Sequence, residues 1–322
     1  MDLIQKIKIN SKKIVSWAGT LLMVASLVFL GRRLFSYQAD FEISSLITST
    51  VIIGLVLVTL FEGFGILLAS FNFRALVKNV SGFLVDRPLA MVVYTVSNLY
   101  KYIPGGVMYV AGRHRLAVET EALSHSKVAL STVLEGIIIA FAAIVLIIVT
   151  VFDHAAEYLR YVELPTAVVV VLIAVVVIAG SVLFSLRKKI ADKMQKLFEH
   201  MRVLSPLVLL KRFGFGLILM TLWGGTFLAT LMVMGQPLTP SQVPTVIGLF
   251  LLSWLAGFLT PGAPSGLGIR EVVILMFMGG ILNEEILLSA MIMHRIVAAV
   301  GDVTAYGIAI GYAKLKQKAV NI

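Results

Sequence analysis

Apolar residues run along this chain in long unbroken blocks, without the alternation of half-buried strands or the one-sided stripe of soluble helices. The blocks fall at about 14–31, 43–70, 126–152, 166–186, 213–234 and 286–312. Each is roughly long enough to cross a bilayer as a helix, which takes about 20 residues. Continuous runs exclude the alternating strands of a transmembrane barrel. Two further apolar stretches, 88–112 and 244–281, are interrupted by Pro and Gly. Their breaks read KYIPGGVMYVAGRHR at 101–115 and TPGAPSGLGIRE at 260–271.

Composition strengthens the pattern. The chain is 59% hydrophobic and 14% charged, against about 45–50% and about 25% in soluble domains. Its solvent is therefore lipid. Lys6, Lys8, Lys12 and Lys13 precede the first block. No small-residue cleavage site follows at Gly31-Arg32-Arg33, so an uncleaved first span is expected. The absence of cysteine excludes disulfides, thiolate metal sites and cysteine nucleophiles. The net charge of +10 belongs to cytoplasmic loops, which collect Lys and Arg in membrane proteins. Nucleic acid is not an expected partner.

The distribution of that charge sets the topology. With the N-terminus inside, 21 Lys and Arg fall in cytoplasmic segments and 3 outside, as the positive-inside rule requires. Stretch 88–112 then begins and ends inside, and stretch 244–281 begins and ends outside. Neither is a single crossing. Each is expected to be a re-entrant or broken helical hairpin, tolerated at membrane depth only where it is buried in protein or lines a watery cavity. The expected fold is all-α: six full spans plus two broken hairpins in one domain, 1–322.

The two halves, about 1–160 and 161–322, repeat the same order with every sense reversed. From Leu22 to Pro104 is 82 residues, and from Val176 to Pro261 is 85. Arg113 and Arg270 each follow their Pro nine residues later. Inverted repeats with discontinuous helices belong to transporters, with substrate at the repeat interface.

The breaks also gather charge. Pro104 removes a backbone donor, and Gly105 and Gly106 relax the dihedral limits. A half-helix N-terminus favours an anion, and Lys101, Arg113 and Arg115 lie nearby. The second break holds Pro261, Gly262, Gly266 and Gly268, then Arg270 and Glu271. Adjacent helical residues do not face each other, so this Arg and Glu need different partners. Glu62, Glu135, Arg295 and Asp302 are further charges inside apolar blocks. Leaving one unpaired costs about 2.5–3.5 kcal/mol on the insertion scale. Expected pairs are Glu135 with Arg113 or Arg270, and Glu271 with Arg295. Protonatable carboxylates offer a route to proton coupling, with structural pairing the expectation.

The five histidines show no metal spacing and read as surface or interfacial residues. The serines lack a nucleophile-elbow pattern, and no phosphate-binding P-loop occurs. No enzyme activity, metal or cofactor is expected. The basic segment 187–212 reads as a cytoplasmic amphipathic helix on anionic lipid.

NLYKYIPGGVMYVAGR at 98–113, Glu135 in LEG and GAPSGLGIREVV at 262–273 together resemble the lysylphosphatidylglycerol synthase transmembrane-region family, also called flippase-like. The resemblance covers nearly the whole chain. It implies a protein that moves, or helps move, a lipid with a polar head group across the bilayer. The family's C-terminal synthase domain has no counterpart before Ile322, so lysyl transfer is not carried over. The chain has Ser265 where the family commonly reads Gly.

Residues expected to meet substrate are Lys101, Pro104, Gly105, Gly106, Arg113, Glu135, Pro261, Gly262, Gly266, Gly268, Arg270, Glu271 and Arg295. The expected partners are membrane lipids with anionic or phosphate-bearing head groups. An alternative is a non-transporting accessory protein for a lipid-modifying enzyme or glycosyltransferase, docking through 187–212. A homo-oligomer is compatible with either. The resemblance places the chain in a bacterial or archaeal plasma membrane, and the Lys and Arg distribution puts both termini in the cytoplasm.

Overall fold

The computed structural model describes residues 48–102, 108–119, 123–151, 204–260 and 263–320, which form helices and turns without a strand among them. The expected spans at 14–31 and 166–186 lie outside the described residues, as does most of 187–212.

Helix α1 (Ser49–Ser81) begins where the Thr48 hydroxyl accepts from the Val51 N–H at 3.3 Å. It ends at Gly82, whose φ of 75° places it in the left-handed region that stops helices. Its 33 residues rise about 50 Å, more than the roughly 30 Å hydrocarbon core. It thus runs well beyond the apolar block that announced it. Arg74 near its end donates from Nε to the Val85 carbonyl at 2.6 Å.

The first broken stretch follows. Helix α2 (Arg87–Leu99) passes into a 3-10 turn at Tyr100–Tyr102, then α3 (Met108–Arg113) and α4 (Arg115–Glu119). Helices α2 and α3 pack against each other as a hairpin. Next come α5 (His125–Val151) and α6 (Pro206–Val233). Ser205 caps α6, with Pro at the first helical position, where its missing N–H costs nothing.

The second broken stretch is α7 (Gln242–Leu259), a 3-10 turn at Pro264–Gly266 and α8 (Ile269–Met278). Here too the two helices pack on each other. The arms differ from the first hairpin in length. α7 has 18 residues and is long and apolar enough to cross a membrane, whereas α2 has 13. The last helix, α9 (Glu284–Val320), starts after Asn283, whose side-chain oxygen accepts from the Ile286 N–H at 3.0 Å.

Helices α1, α5, α6, α7 and α9 are each long and apolar enough to span a bilayer. The chain is a multi-pass, all-α membrane protein. Its outer surface is correspondingly greasy: Ile53, Val56, Leu60, Phe61 and Phe64 of α1 are all half exposed or more. Lipid tails remove any hydrophobic drive between such helices, so close packing must hold them together. The crossing of α1 and α9 shows how. A Cβ on Gly63 would meet the Gly301 carbonyl oxygen at 3.1 Å, and one on Gly301 would meet Glu62 Cγ at 2.9 Å. Two side-chain-free positions let the backbones touch. Helix α6 sits centrally, against α1, α5, α7 and α9.

Candidate functional site

Helix α9 is the common wall of both hairpins, packing against α2 on one side and α8 on the other. Each contact carries a charge from α9. Asp302 faces the first break and is buried. Its Oδ1 accepts from Asn98 Nδ2 at 2.6 Å, and its Oδ2 accepts from the Tyr102 hydroxyl at 2.6 Å and pairs with Lys101 Nζ at 2.7 Å. Three donors from the 3-10 turn and the end of α2 thus converge on one carboxylate. That arrangement satisfies a charge which alone at this depth would be costly.

Two turns earlier, Arg295 faces the second break. Its Nε donates to Glu271 Oε1, and its Nη2 reaches the Gly266 carbonyl at 3.4 Å. The other oxygen of Glu271 accepts from the Gly268 N–H at 2.7 Å. Glu271 is the third residue of α8, so its carboxylate caps its own helix and complements the dipole there. The expected Glu271–Arg295 pair is present. The N-terminus of α8 is therefore occupied by the protein's own anion.

The backbone that allows this is unusual. Ser265, Gly266 and Gly268 have φ of 51°, 67° and 83°, a region that L side chains rarely adopt. A Cβ on Gly266 would also lie 2.8 Å from Gly257 Cα. Gly266 is thus required twice, by its dihedral and by the close approach of the turn to α7.

The third pair is sealed away. Arg113 donates from Nη1 to Glu135 Oε2, with both side chains almost fully buried. The Tyr94 hydroxyl donates to the other Glu135 oxygen at 3.2 Å. The Phe73 and Tyr94 rings each lie 4.4 Å from the guanidinium carbon. Of the two partners expected for Glu135, the structure selects Arg113.

The two breaks meet: the turn at Tyr100–Tyr102 lies against the turn at Pro264–Gly266. Around this meeting point stand Lys101, Tyr102, Arg270, Glu62 and Asp302, within electrostatic reach of one another. Arg270 has the ring of Phe250 at 5.0 Å from its guanidinium carbon. No carboxylate lies within ion-pair distance of it among the described residues. It lies among the helices and is partly exposed. Glu62 is buried and accepts one hydrogen bond, from the Thr226 hydroxyl at 2.8 Å.

His294 corrects an expectation. It is buried, not interfacial, because the Phe227 and Phe250 rings meet its own edge-on, with centroids at 5.3 and 5.1 Å. The Thr230 hydroxyl stands 3.4 Å from its Nδ1.

Lys101, Arg113, Glu135, Gly266, Gly268, Arg270, Glu271 and Arg295 thus all lie in or beside the two breaks. Pro104, Gly105, Gly106, Pro261 and Gly262 lie outside the described residues. Tyr94, Asn98, Tyr102 and Thr226 were missed from the sequence. Their signal was present as polar groups inside apolar stretches, but hydroxyls and amides carry no charge to draw notice. Among the described residues no group of three His, Asp or Glu side chains is placed to hold a metal ion. Comparison with protein-family models and with curated proteins gives no match.

Proposed function

We propose that this chain is a lipid translocase of the flippase-like, lysylphosphatidylglycerol synthase transmembrane-region kind, working at the interface of two inverted halves. It moves a phospholipid or lipid-linked phosphate head group across a bacterial or archaeal plasma membrane and does no covalent chemistry on it. The observation that carries the reading is the meeting of the two broken hairpins inside an apolar bundle, with cations at the junction. Irregular backbone at that depth fits a polar path through the bilayer. Arg113 and Arg295 already hold carboxylates of the protein. Arg270 is the guanidinium left to meet a phosphate, for which its planar fork is suited.

Purified protein in liposomes, assayed for movement of fluorescent phosphatidylglycerol, phosphatidylethanolamine and a polyprenyl phosphate, tests the reading. We expect movement of at least one lipid well above protein-free liposomes, falling about tenfold or more in Arg270→Ala, the size of one charge-assisted contact. Correctly inserted, folded protein that moves none of the three lipids would refute translocation and favour an accessory role beside a lipid-modifying enzyme.

A further inference from the structure

Among the described residues, Lys101, Arg113, Arg270 and Arg295 stand in the bundle against Glu62, Glu135, Glu271 and Asp302, with the buried His294 beside them. Their formal charges cancel. Three of each sign are joined in contact pairs, which leaves Arg270 and Glu62. These two are of opposite formal charge. Glu62 lies against Gly301, next to the Asp302 that holds Lys101 and Tyr102 of the first turn, and that turn packs on the second, which leads into Arg270; yet no ion-pair contact joins Glu62 and Arg270.

Left free, such a couple would close, since attraction grows steeply as the separation and the local dielectric fall. Packing on both sides prevents it. The stem of Arg270 is wedged against Gly257 and Gly266, where an added Cβ would stand 2.9 and 3.1 Å from its Cγ. Its guanidinium is drawn toward the Phe250 ring. Glu62 is fixed by the Thr226 hydroxyl and by the Gly301 backbone packed on its Cγ. Two opposite charges are therefore held apart, one on α1 and one on α8, beside the junction of the hairpins.

We infer that this divided pair is a two-point site for a net-neutral head group in which a phosphate is joined through a short linker to an ammonium. The phosphate meets Arg270 and the ammonium meets Glu62. The inference rests on the lipid-handling reading above and names its substrate class. A purely anionic head group would neutralise Arg270 but bring a second negative charge beside Glu62. A purely cationic one would do the reverse. Only a head group with both charges leaves neither side chain uncompensated in a low-dielectric interior.

The test is native mass spectrometry of the full-length protein in non-ionic detergent. The probes are phosphatidylethanolamine and phosphatidylglycerol of identical acyl chains. Wild type should retain phosphatidylethanolamine roughly tenfold better, the effect of one charge-assisted hydrogen bond. Glu62→Gln should abolish that preference by weakening phosphatidylethanolamine alone, while Arg270→Gln should weaken both lipids. Thr226→Val removes only the hydroxyl that holds Glu62. It should lower the preference partway and serves if Glu62→Gln does not fold.

Soluble sn-glycerophosphoethanolamine distinguishes the sources of the chemistry. Displacement of the lipid supports recognition of the head group alone, and failure to displace supports the intact lipid as ligand. Equal retention of both lipids, or a preference that survives Glu62→Gln and Thr226→Val, overturns the inference. Equal retention with active translocation overturns this inference only. Preferential binding without translocation overturns the proposed function only.

Discussion

Removing Glu135 and Arg113 singly and together separates a structural clamp from a substrate contact. Glu135→Leu leaves a buried guanidinium without its carboxylate, and Arg113 Nε is already without a hydrogen-bond partner. Breaking one side of a buried pair costs about 3–5 kcal/mol. The rings of Phe73 and Tyr94 already flank Arg113 at 4.4 Å in the intact pair, so their attraction is not a new gain that would offset that loss. Arg113→Met leaves Glu135 with the Tyr94 hydroxyl alone and should cost a similar amount. The double variant Arg113→Met/Glu135→Leu removes both charges and fills the space with apolar atoms. Its cost should be within about 2 kcal/mol of wild type, because the Tyr94 hydroxyl loses one hydrogen bond worth about 1 kcal/mol and no buried charge remains. The assay is reversible unfolding in mixed micelles, run as a double-mutant cycle. Losses in the double variant that simply add the two single ones would refute the clamp.

Two further substitutions test the breaks. Asp302→Leu should free the first hairpin from α9, at a cost of about 2–3 kcal/mol from two lost hydrogen bonds and a partly exposed Lys101, whose pairing is discounted for solvent. Hydrogen exchange at residues 98–102 should accelerate, and unchanged exchange there would show that Asp302 is no anchor. In the second break Gly266→Ala should destabilise by about 2 kcal/mol or more, from a left-handed dihedral and a clash with the α7 backbone. Ser265→Gly next door should be neutral or stabilising by up to about 1 kcal/mol, since it relieves the same dihedral. A melting-temperature series in detergent that ranks these two the other way would refute the turn geometry.

Much of this architecture is legible in the sequence because lipid imposes a coarse code. A helix in a bilayer must be apolar along its length, so the block at 126–152 nearly coincides with α5 (His125–Val151), and the block at 213–234 covers all of α6 (Pro206–Val233) but its first seven residues. The Glu271–Arg295 and Arg113–Glu135 pairs were legible for a related reason: an intramembrane charge needs a partner, and few candidates exist. Helix ends were less so. α1 continues about eleven residues past its apolar block because Gly82, and not a change in polarity, stops it. The partners of Asp302 and Glu62 were hidden, since Asn98, Tyr102 and Thr226 are ordinary residues until the fold aims them. Burial of His294 was hidden too, because it depends on rings from α6 and α7 closing around it.

Why three charge pairs close and one does not follows from where the small residues lie. Gly63 and Gly301 bring α1 and α9 into backbone contact beside Glu62 and Asp302, so two carboxylates share one crossing. Like charges that close are tolerated only if at least one is compensated. Lys101, Asn98 and Tyr102 do that for Asp302, and doing so fixes the first break. The same donors cannot also turn to Glu62, which keeps only Thr226. On the far side, Gly257 and Gly266 let the second turn close on α7 and trap the Arg270 stem between them. A Cβ at any of these four glycines would stand 2.8–3.1 Å from its nearest neighbour and push a helix, a turn or a charged side chain aside. The divided pair is thus a consequence of two tight backbone contacts acting together. A protein selected only for stability would gain by letting Glu62 and Arg270 meet. Their separation at the junction of two broken helices is the geometry from which we infer a ligand that carries both charges.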